Sequence, residues 1–422
     1  MKLLVCDIEG TIFQPHMIKS AQHASYIWTA IAEALGKDAE REEINTQRKW
    51  RDGGYGQYNT GAAYMDWVNA SIEIHKQYDL TQSTFDELIR KAPYMRGVEE
   101  FFSRLNRNEY IPVFISGGIQ NLNRKACADL DVDIDDSYAS CEYFFNHAGK
   151  IDDSMTLSNT CNFYGKHELI RIALRKHGLG DNDWIFIGDG INDVDVAKGA
   201  PLSIGIAPID ELREVATYSF EDFEELLQCS ELLSGQRLLT ESSKTEPASD
   251  KQAKSIKQRS MEAVNKQVAM LHLGNLEERA YRKFRKEIGD DEARESKSRF
   301  FGIQHLLFQG EYILALLEET GETEVASTIL QSFCSASEIM VNITMALTGN
   351  SERLHELVNS ENTLKKSINS INNANLKTVL HAYRQIRNTI AHSHQVISME
   401  AAHALARRTY ENIQRLELIV NP

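Results

Sequence analysis

Residues 2–11 read Lys-Leu-Leu-Val-Cys-Asp-Ile-Glu-Gly-Thr, a short apolar run that ends in two acids, a glycine and a threonine. The run at Leu3–Cys6 has the length and composition of a buried parallel strand. Three more runs of this kind follow, at Tyr110–Ile115, Trp184–Ile187 and Ser203–Ile206. Helical patterns separate these runs, and the alternation predicts a doubly wound α/β domain over residues 1–233.

The net charge of the 422-residue chain is −15, and it comes entirely from the first half. Residues 1–230 hold 22 basic and 37 acidic side chains, whereas residues 231–422 hold 24 of each. Binding to a phosphate backbone depends on clustered Lys and Arg. The acidity therefore argues against long nucleic acids at the first domain and leaves the second half open to RNA.

The sequence predicts a cytoplasmic protein with no membrane partner. No apolar run approaches the ~18–20 residues that a membrane helix needs, and the apolar stretch before Asp7 is too short for a secretion signal. The six cysteines are scattered and form no CxxC pair, which is typical of free thiols in a reducing compartment.

The second half differs from the first in its proline content and in the spacing of its apolar residues. Residues 248–421 contain no proline, so long helices are permitted throughout. Apolar residues recur at helical spacing from Ile303 to Leu317 and from Val325 to Ile343, which predicts an all-helical bundle over residues 261–422. Residues 234–260, rich in Ser, Lys, Gln, Glu and Thr, are predicted to be a linker, or a solvated helix over their basic part, Lys251–Arg259.

Polar groups follow three of the predicted strands, and ligands of open parallel sheets bind beyond such strand ends. The groups are Asp7-Ile8-Glu9-Gly10-Thr11, Ser116-Gly117-Gly118 and Gly188-Asp189-Gly190-Ile191-Asn192-Asp193, with Lys166 between the last two. A carboxylate can act as a nucleophile and form an aspartyl-phosphate. Mg²⁺ prefers a few hard oxygen ligands and leaves room for substrate phosphate. Lys, hydroxyl and backbone N–H groups can hold the phosphoryl oxygens.

These motifs resemble the haloacid dehalogenase superfamily of phosphatases over roughly residues 1–230. The resemblance implies a Rossmann-like core in which Asp7 is the nucleophile and Glu9 is the general acid and then the base. It further implies that phosphate is bound by Gly10, Thr11, Ser116, Gly117 and Lys166. Mg²⁺ would be bound by Asp7, the Glu9 carbonyl, Asp189 and Asp193, with Asn192 in support. The family usually has Asp where this chain has Glu9, whose side chain is longer by one methylene group.

The insertion over residues 15–92 reads as helical and resembles the cap of the phosphoserine phosphatase branch. That branch has a Glu for the serine amine where this chain has His16, and its Arg-bearing motif for the serine carboxylate is not found near Gly61–Asn69. We therefore expect a substrate other than phosphoserine. The candidates are another phosphorylated small molecule, a nucleotide or an RNA end.

A second candidate site lies near the C-terminus. The segment from Arg387-Asn388 to His392 has a cation and an acid–base group of the kind that metal-independent RNA cleavage needs. It resembles the RxxxxH motif of HEPN domains, which usually dimerise to build a ribonuclease site, and Glu338 is a candidate supporting residue. The resemblance implies a homodimer or higher oligomer, RNA as a partner, and a toxin or phage-defence role. The alternative is a metabolic phosphatase whose helical domain only dimerises or binds a partner.

Overall fold

The chain divides into two compact units, Met1–Pro247 and Ala248–Pro422. In the computed structural model the residues described are all except 16–17, 21–22, 25–26, 58–59, 147, 152–156, 159–160, 162–163, 241–259, 266–272, 327–329, 349–362, 372–375, 379, 382–383, 385–395 and 421–422. Most of the predicted linker thus lies outside the described residues.

Nine strands are described in the first unit. They are β1 (Lys2–Cys6), β2 (Ile18–Ser20), β3 (His23–Ala24), β4 (Tyr110–Ile119), β5 (Ser137–Glu142), β6 (Leu157–Ser158), β7 (Trp184–Gly188), β8 (Ser203–Ile206) and β9 (Tyr218–Phe220). Seven of them form one sheet in the order β6-β5-β4-β1-β7-β8-β9, and β2 pairs with β3 separately. The six strands from β5 to β9 in this order are parallel, whereas the edge strand β6 is antiparallel to β5. This arrangement confirms the predicted α/β core.

The strand β1 lies in the middle of the sheet because both of its faces are apolar. Leu3, Leu4, Val5 and Cys6 are all fully buried, as expected for a strand covered by helices on both sides. β4 and β7 flank it. The chain therefore adds β4 on one side of β1 and later adds β7 on the other side. A crevice at such a switch in strand order is where doubly wound folds bind their ligands.

Helices surround the sheet and fill the predicted insertion. Those described in the first unit are α1 (Ile27–Leu35), α2 (Lys37–Arg51), α3 (Gly61–Gln77), α4 (Gln82–Lys91), α5 (Val98–Arg104), α6 (Gln120–Asp129), α7 (Tyr164–Lys176), α8 (Val194–Gly199), α9 (Asp210–Arg213), α10 (Phe223–Gln228) and α11 (Ser230–Gly235). The insertion over residues 15–92 contains α1 to α4 and the short β2–β3 pair. We call this insertion the cap. Its apolar core is separate from the main core and centres on aromatic residues of α1, α2 and α3.

The second unit is mainly helical. Its described elements are α12 (Leu273–Ile288), α13 (Asp290–Glu295), α14 (Ile303–Thr320), β10 (Glu324–Ala326), α15 (Gln331–Thr348), α16 (Thr363–Ser370), β11 (Val396–Ser398) and α17 (Met399–Val420). The helix α15 packs against α14 and α17 around fully buried side chains such as Phe333 and Leu405. Among the described residues, no helix is both long and apolar enough to cross a membrane.

The prediction of an all-helical second domain is wrong at one place. Val325, which fits the helical spacing of the following helix, lies instead in β10 and pairs with Ile397 of β11 in an antiparallel ladder. Val325 is buried between the exposed residues Glu324 and Ala326, which is the alternation of a strand with one buried face.

Candidate active site

The ends of β1, β4 and β7 bring the predicted polar groups to one edge of the sheet. Cys6, the last residue of β1, is level with Phe114 of β4 and with Ile187 of β7. The backbone N–H of Asp7 still donates to the carbonyl of Ile187 at 2.9 Å. The Asp7 side chain therefore leaves the sheet next to the loop that follows β7.

Lys166 joins two of the acids. Its Nζ lies 3.1 Å from Asp7 Oδ1 and 2.5 Å from Asp193 Oδ1, and the ammonium group is fully buried. Burial lowers the pKa of Lys166, but the carboxylates of Asp193 and Asp7 raise it more, so that it rises overall. Lys166 therefore carries a fixed positive charge beside Asp7, as a group that holds phosphoryl oxygens must.

The loop after β7 is held by the side chain of Asp193. Its Oδ2 accepts hydrogen bonds from the backbone N–H groups of Asp189 and Gly190, each at 3.0 Å. Thr11 Oγ1 donates to Asp189 Oδ1 at 2.8 Å. Gly10 has a φ of +85°, and a Cβ there would lie 2.1 Å from Asp189 Oδ2. The close approach of the β1 and β7 loops thus requires glycine at this position.

Glu9 lies on the cap side of Asp7. Its Oε2 accepts a hydrogen bond from the backbone N–H of Ile27, the first residue of α1, at 3.0 Å. Its Oε1 is buried and has no hydrogen-bond partner among the described residues. Burial raises the pKa of Glu9 to about 7, the Ile27 N–H lowers it and Asp7 raises it further. A carboxyl with such a pKa can both donate and accept a proton near neutral pH.

The C-terminal part of β4 contacts both the cap and Glu9. Ser116 is buried, and its Oγ accepts a hydrogen bond from the Gly118 N–H at 2.9 Å. The Tyr64 hydroxyl, from cap helix α3, donates to the Gly117 carbonyl. A Cβ on Gly118 would lie only 1.7 Å from Glu9 Oε1. Glycine at this position therefore makes room for the Glu9 carboxyl.

Three acids of the site fit a divalent cation. Asp7, Asp189 and Asp193 can each offer one oxygen such that all three atoms lie within 4.8 Å of one another. Burial, the main cause, together with the neighbouring acids raises the pKa of Asp189 well above its usual range. Burial likewise raises that of Asp7, although Lys166 opposes the rise. Two buried carboxylates, Asp7 and Asp193, and the half-buried Asp189 lie beside the one ammonium of Lys166. They leave negative charge that a divalent cation would compensate.

A pocket opens above these groups, and aromatic rings form its other wall. Trp28, Trp50, Tyr64 and Trp67 line it opposite Asp7, Glu9, Ser116, Gly117, Gly118, Asp189, Gly190, Ile191 and Asn192. The rings come from α1, α2 and α3. Thr60 begins α3 as its N-cap, since its Oγ1 accepts from the Ala63 N–H at 3.3 Å. Tyr64 and Trp67, three residues apart, then lie on one face of α3.

The structure thus brings together every site residue that the sequence predicted in the first domain. Of the residues of the second candidate site, the structure describes only Glu338. Arg387, Asn388 and His392 lie outside the described residues, and Glu338 is half-buried on α15. The four aromatic residues of the pocket were missed by the sequence analysis. One available signal was that three of the four tryptophans of the chain fall within the cap.

Comparisons with known proteins agree with this geometry. Residues 1–201 match the haloacid dehalogenase-like hydrolase family. The phosphoserine phosphatase of Methanocaldococcus jannaschii is 25% identical over 152 residues, which are 36% of this chain and 70% of that protein.

Solved structures were also compared. A phospho-aspartyl intermediate analogue of phosphoserine phosphatase is 22% identical, with a TM-score of 0.42, and the match covers 54% of this chain and 97% of that one. A haloacid dehalogenase family hydrolase from Salmonella enterica serovar Typhi is 17% identical, with a TM-score of 0.43, over 53% of this chain and 69% of that one.

The N-terminal part of the chain is accordingly a haloacid dehalogenase-like hydrolase domain that resembles phosphoserine phosphatase. The protein is an enzyme, a hydrolase of the phosphatase type. Phosphatases of this family use Mg²⁺, and the cluster of Asp7, Asp189 and Asp193 fits that ion.

Proposed function

We propose that the first unit hydrolyses a small phosphomonoester with one phosphate group, through an aspartyl-phosphate on Asp7. The observation that carries the proposal is the arrangement around Asp7. Lys166 Nζ lies 3.1 Å from Asp7 Oδ1. Glu9, whose Oε1 has no hydrogen-bond partner among the described residues, lines the same pocket as Asp7. A nucleophile, a fixed cation and an acid with a raised pKa are the groups that the reaction needs.

In the first step, a carboxylate oxygen of Asp7 attacks phosphorus and the bond from phosphorus to the leaving-group oxygen breaks. Glu9 gives its proton to that oxygen, so that the leaving group departs as an alcohol. Lys166, the Ser116 hydroxyl and the Gly117 N–H hold the phosphoryl oxygens. Asp7 is left as a mixed anhydride with the phosphoryl group.

In the second step, a water molecule takes the position that the alcohol has left. Glu9, now ionised, takes a proton from the water as its oxygen attacks phosphorus, and the bond between phosphorus and the Asp7 oxygen breaks. Phosphate leaves, Asp7 is again a carboxylate and Glu9 is again protonated. The Ile27 N–H keeps Glu9 in place for both proton transfers.

Asp7, Asp189 and the Glu9 carbonyl are the groups we assign to Mg²⁺. When bound, the ion supplies positive charge against the phosphoryl oxygens and the buried carboxylates. Asp193 acts mainly by positioning, because its Oδ1 contacts Lys166 and its Oδ2 accepts from two backbone N–H groups.

A small substrate fits the pocket better than a nucleotide or an RNA end, the other candidates from the sequence. Among the described residues that line the pocket, none is Lys, Arg or His. The additional phosphates of an RNA chain or of a nucleoside triphosphate would have no cationic partner there, and charges in a buried site require one.

The test is release of phosphate from p-nitrophenyl phosphate by the full chain in Mg²⁺ and in EDTA. We expect turnover in Mg²⁺, none in EDTA and none from Asp7→Asn in either. Asp195→Asn is the matched control, because Asp195 lies on α8 with a side chain that is 76% exposed. Activity that survives Asp7→Asn would contradict the proposed nucleophile.

We further propose for the second unit the HEPN-type ribonuclease activity suggested by Arg387, Asn388 and His392, with a toxin or phage-defence role. This proposal rests on the sequence motif in a mainly helical unit. Its test is RNA cleavage in EDTA by the wild type, by Asp7→Asn and by the double variant Arg387→Ala/His392→Ala. Cleavage lost only in the double variant supports a second enzyme. A chain that dimerises but does not cut RNA supports the alternative, a phosphatase with an assembly domain.

A further inference from the structure

The aromatic wall of the pocket has a specific geometry. Trp50 and Trp67 are stacked, with ring centroids 4.8 Å apart and planes 10° apart. Tyr64 stands edge-on to both, at 5.4 Å and 74° to Trp50 and at 5.3 Å and 67° to Trp67. Trp28 meets Trp67 at 6.0 Å and 66°. Three of these four ring pairs thus meet at steep angles, and one pair is parallel.

This geometry does not suit the insertion of a flat base. A third ring between two others needs contacts of about 3.5 Å on each side, so the outer rings would have to be about 7 Å apart. The one parallel pair described in the wall, Trp50 and Trp67, has ring centroids only 4.8 Å apart, which is too close for a third ring to lie between them. The other described pairs meet at steep angles, an arrangement that suits a compact, rounded group better than a flat one.

The lining of the pocket favours an ammonium group over a carboxylate at this position. Its described charged residues are the acids Asp7, Glu9 and Asp189. Lys166, the nearest cation of the site, is fully buried beneath Asp7 and Asp193 and is used for the phosphoryl group. The faces of indole and phenol rings carry partial negative charge and attract ammonium groups. Because Asp7 and Asp189 are assigned to Mg²⁺ and Glu9 is protonated in the first step, the attraction for an ammonium group comes from the ring faces. A carboxylate would find no cationic partner among the described lining residues.

We propose that this pocket binds the ammonium end of an alkyl phosphomonoester, a substituted ammonium group enclosed by Trp28, Trp50, Tyr64 and Trp67. The inference rests on the proposed function and defines its substrate class. The phosphate lies at Asp7 and Lys166, and the ammonium group lies across Glu9 against the rings. The acid then stands between the two ends of the substrate, next to the oxygen that it must protonate.

The experiment compares substrates that differ in one property. Phosphocholine is compared with its carbon isostere, in which an uncharged tert-butyl group of the same size replaces the trimethylammonium group. Phosphoserine adds a carboxylate, adenosine monophosphate has a flat base, and p-nitrophenyl phosphate reports the phosphatase itself. We expect kcat/KM for phosphocholine to exceed that of the isostere by about tenfold or more, and to exceed those of phosphoserine and adenosine monophosphate.

Variants at Trp50 connect this preference to the rings. The measured quantity is the ratio of kcat/KM for phosphocholine to kcat/KM for the isostere. Trp50→Phe keeps an aromatic face and should retain part of this ratio, whereas Trp50→Leu should lower it by about threefold or more. Partial unfolding lowers both rates equally and leaves the ratio unchanged, so the test does not depend on the folded fraction. Trp184→Leu is the matched control. This fourth tryptophan lies on β7, where its indole donates to the Asp181 carbonyl at 2.9 Å, and its ratio should equal that of the wild type.

The outcomes separate the two proposals. Turnover of p-nitrophenyl phosphate with equal kcat/KM for phosphocholine and its isostere would overturn the ammonium assignment and leave the phosphatase standing. The assignment also fails if phosphoserine or adenosine monophosphate is the better substrate, or if the phosphocholine-to-isostere ratio is the same in Trp50→Leu as in the wild type. Absence of any turnover in Mg²⁺ would overturn the proposed function itself.

Discussion

Gly118→Ala tests whether Glu9 is the acid and base of the reaction. The new Cβ would lie 1.7 Å from Glu9 Oε1 and 2.8 Å from its Cδ. Because carbon and oxygen atoms that are not bonded stay about 3.3 Å apart or more, the Glu9 carboxyl must move by roughly 1.5 Å. The movement also strains its hydrogen bond from the Ile27 N–H. The variant thus displaces the acid and leaves its chemistry intact.

The expected effect depends on the leaving group. General acid–base catalysis contributes about 10²–10⁴-fold, and a misplacement of about 1 Å costs on the order of 10²-fold. Turnover of an alkyl phosphate by Gly118→Ala should therefore fall by about 10²-fold or more. p-Nitrophenolate is a good leaving group and needs little help from an acid. The rate of its release in the first turnover of Gly118→Ala should stay within about threefold of the wild-type rate.

The assay is rapid-quench measurement of p-nitrophenolate release together with phosphate release. We expect a burst of p-nitrophenolate followed by slow phosphate release, because the attack of water still needs Glu9 as a base. Gly235→Ala is the matched control, since no atom lies within 4 Å of a Cβ placed there. Equal losses in the burst and in alkyl phosphate turnover would refute the reasoning, as would wild-type turnover of both.

Three further predictions concern the metal, the pH and the cap. Asp189→Asn should raise the Mg²⁺ concentration for half-maximal activity by about 10–100-fold; an unchanged Mg²⁺ titration would remove Asp189 from the metal site. Burial lowers the pKa of His75 to about 4 from 6.5, so its contribution to stability is complete above pH 6.5 and is lost between pH 6.5 and 4. Relative to His75→Gln, the wild type should lose about 3 kcal/mol of unfolding free energy over that window in urea melts, and parallel pH curves would contradict this. Tyr64→Phe removes the hydroxyl that donates to Gly117 and should cost about 1 kcal/mol of unfolding free energy; a variant as stable as the wild type in urea would show that this bond contributes nothing net.

The catalytic groups could be predicted because they are local features of the sequence. Asp7 and Asp189 each follow a short apolar run directly, and parallel strands present their carboxyl ends at one edge. The order of motifs then suffices to gather the polar groups without any knowledge of how the helices pack. The length of β4 was less predictable. It continues through Gly117 and Gly118 to Ile119, although glycines usually weaken a strand, because the close approach of Glu9 occupies the space of a side chain.

The aromatic wall could not be predicted in the same way. Helical periodicity identifies which face of α3 holds Tyr64 and Trp67, but not which helices that face meets. Trp28 and Trp50 come from two other helices, and their convergence depends on how α1, α2 and α3 pack. Apolar positions on an amphipathic helix are typical of core residues, and the side chains of these four residues are indeed at most 5% exposed. Only the packed cap distinguishes a ring that fills the core from one that also faces a ligand.

Two hydrogen bonds link the cap to the catalytic loops, and they make recognition and catalysis interdependent. The Ile27 N–H holds the Glu9 carboxyl from the start of α1, and the Tyr64 hydroxyl holds the Gly117 carbonyl from α3. The helix α1 carries Trp28 directly after Ile27, and α3 carries Trp67 one turn after Tyr64. The same two helices therefore present the rings to the leaving group and position the acid that protonates it. A substrate that draws these rings together also holds Glu9 in place, so selectivity for the leaving group should appear in kcat as well as in KM.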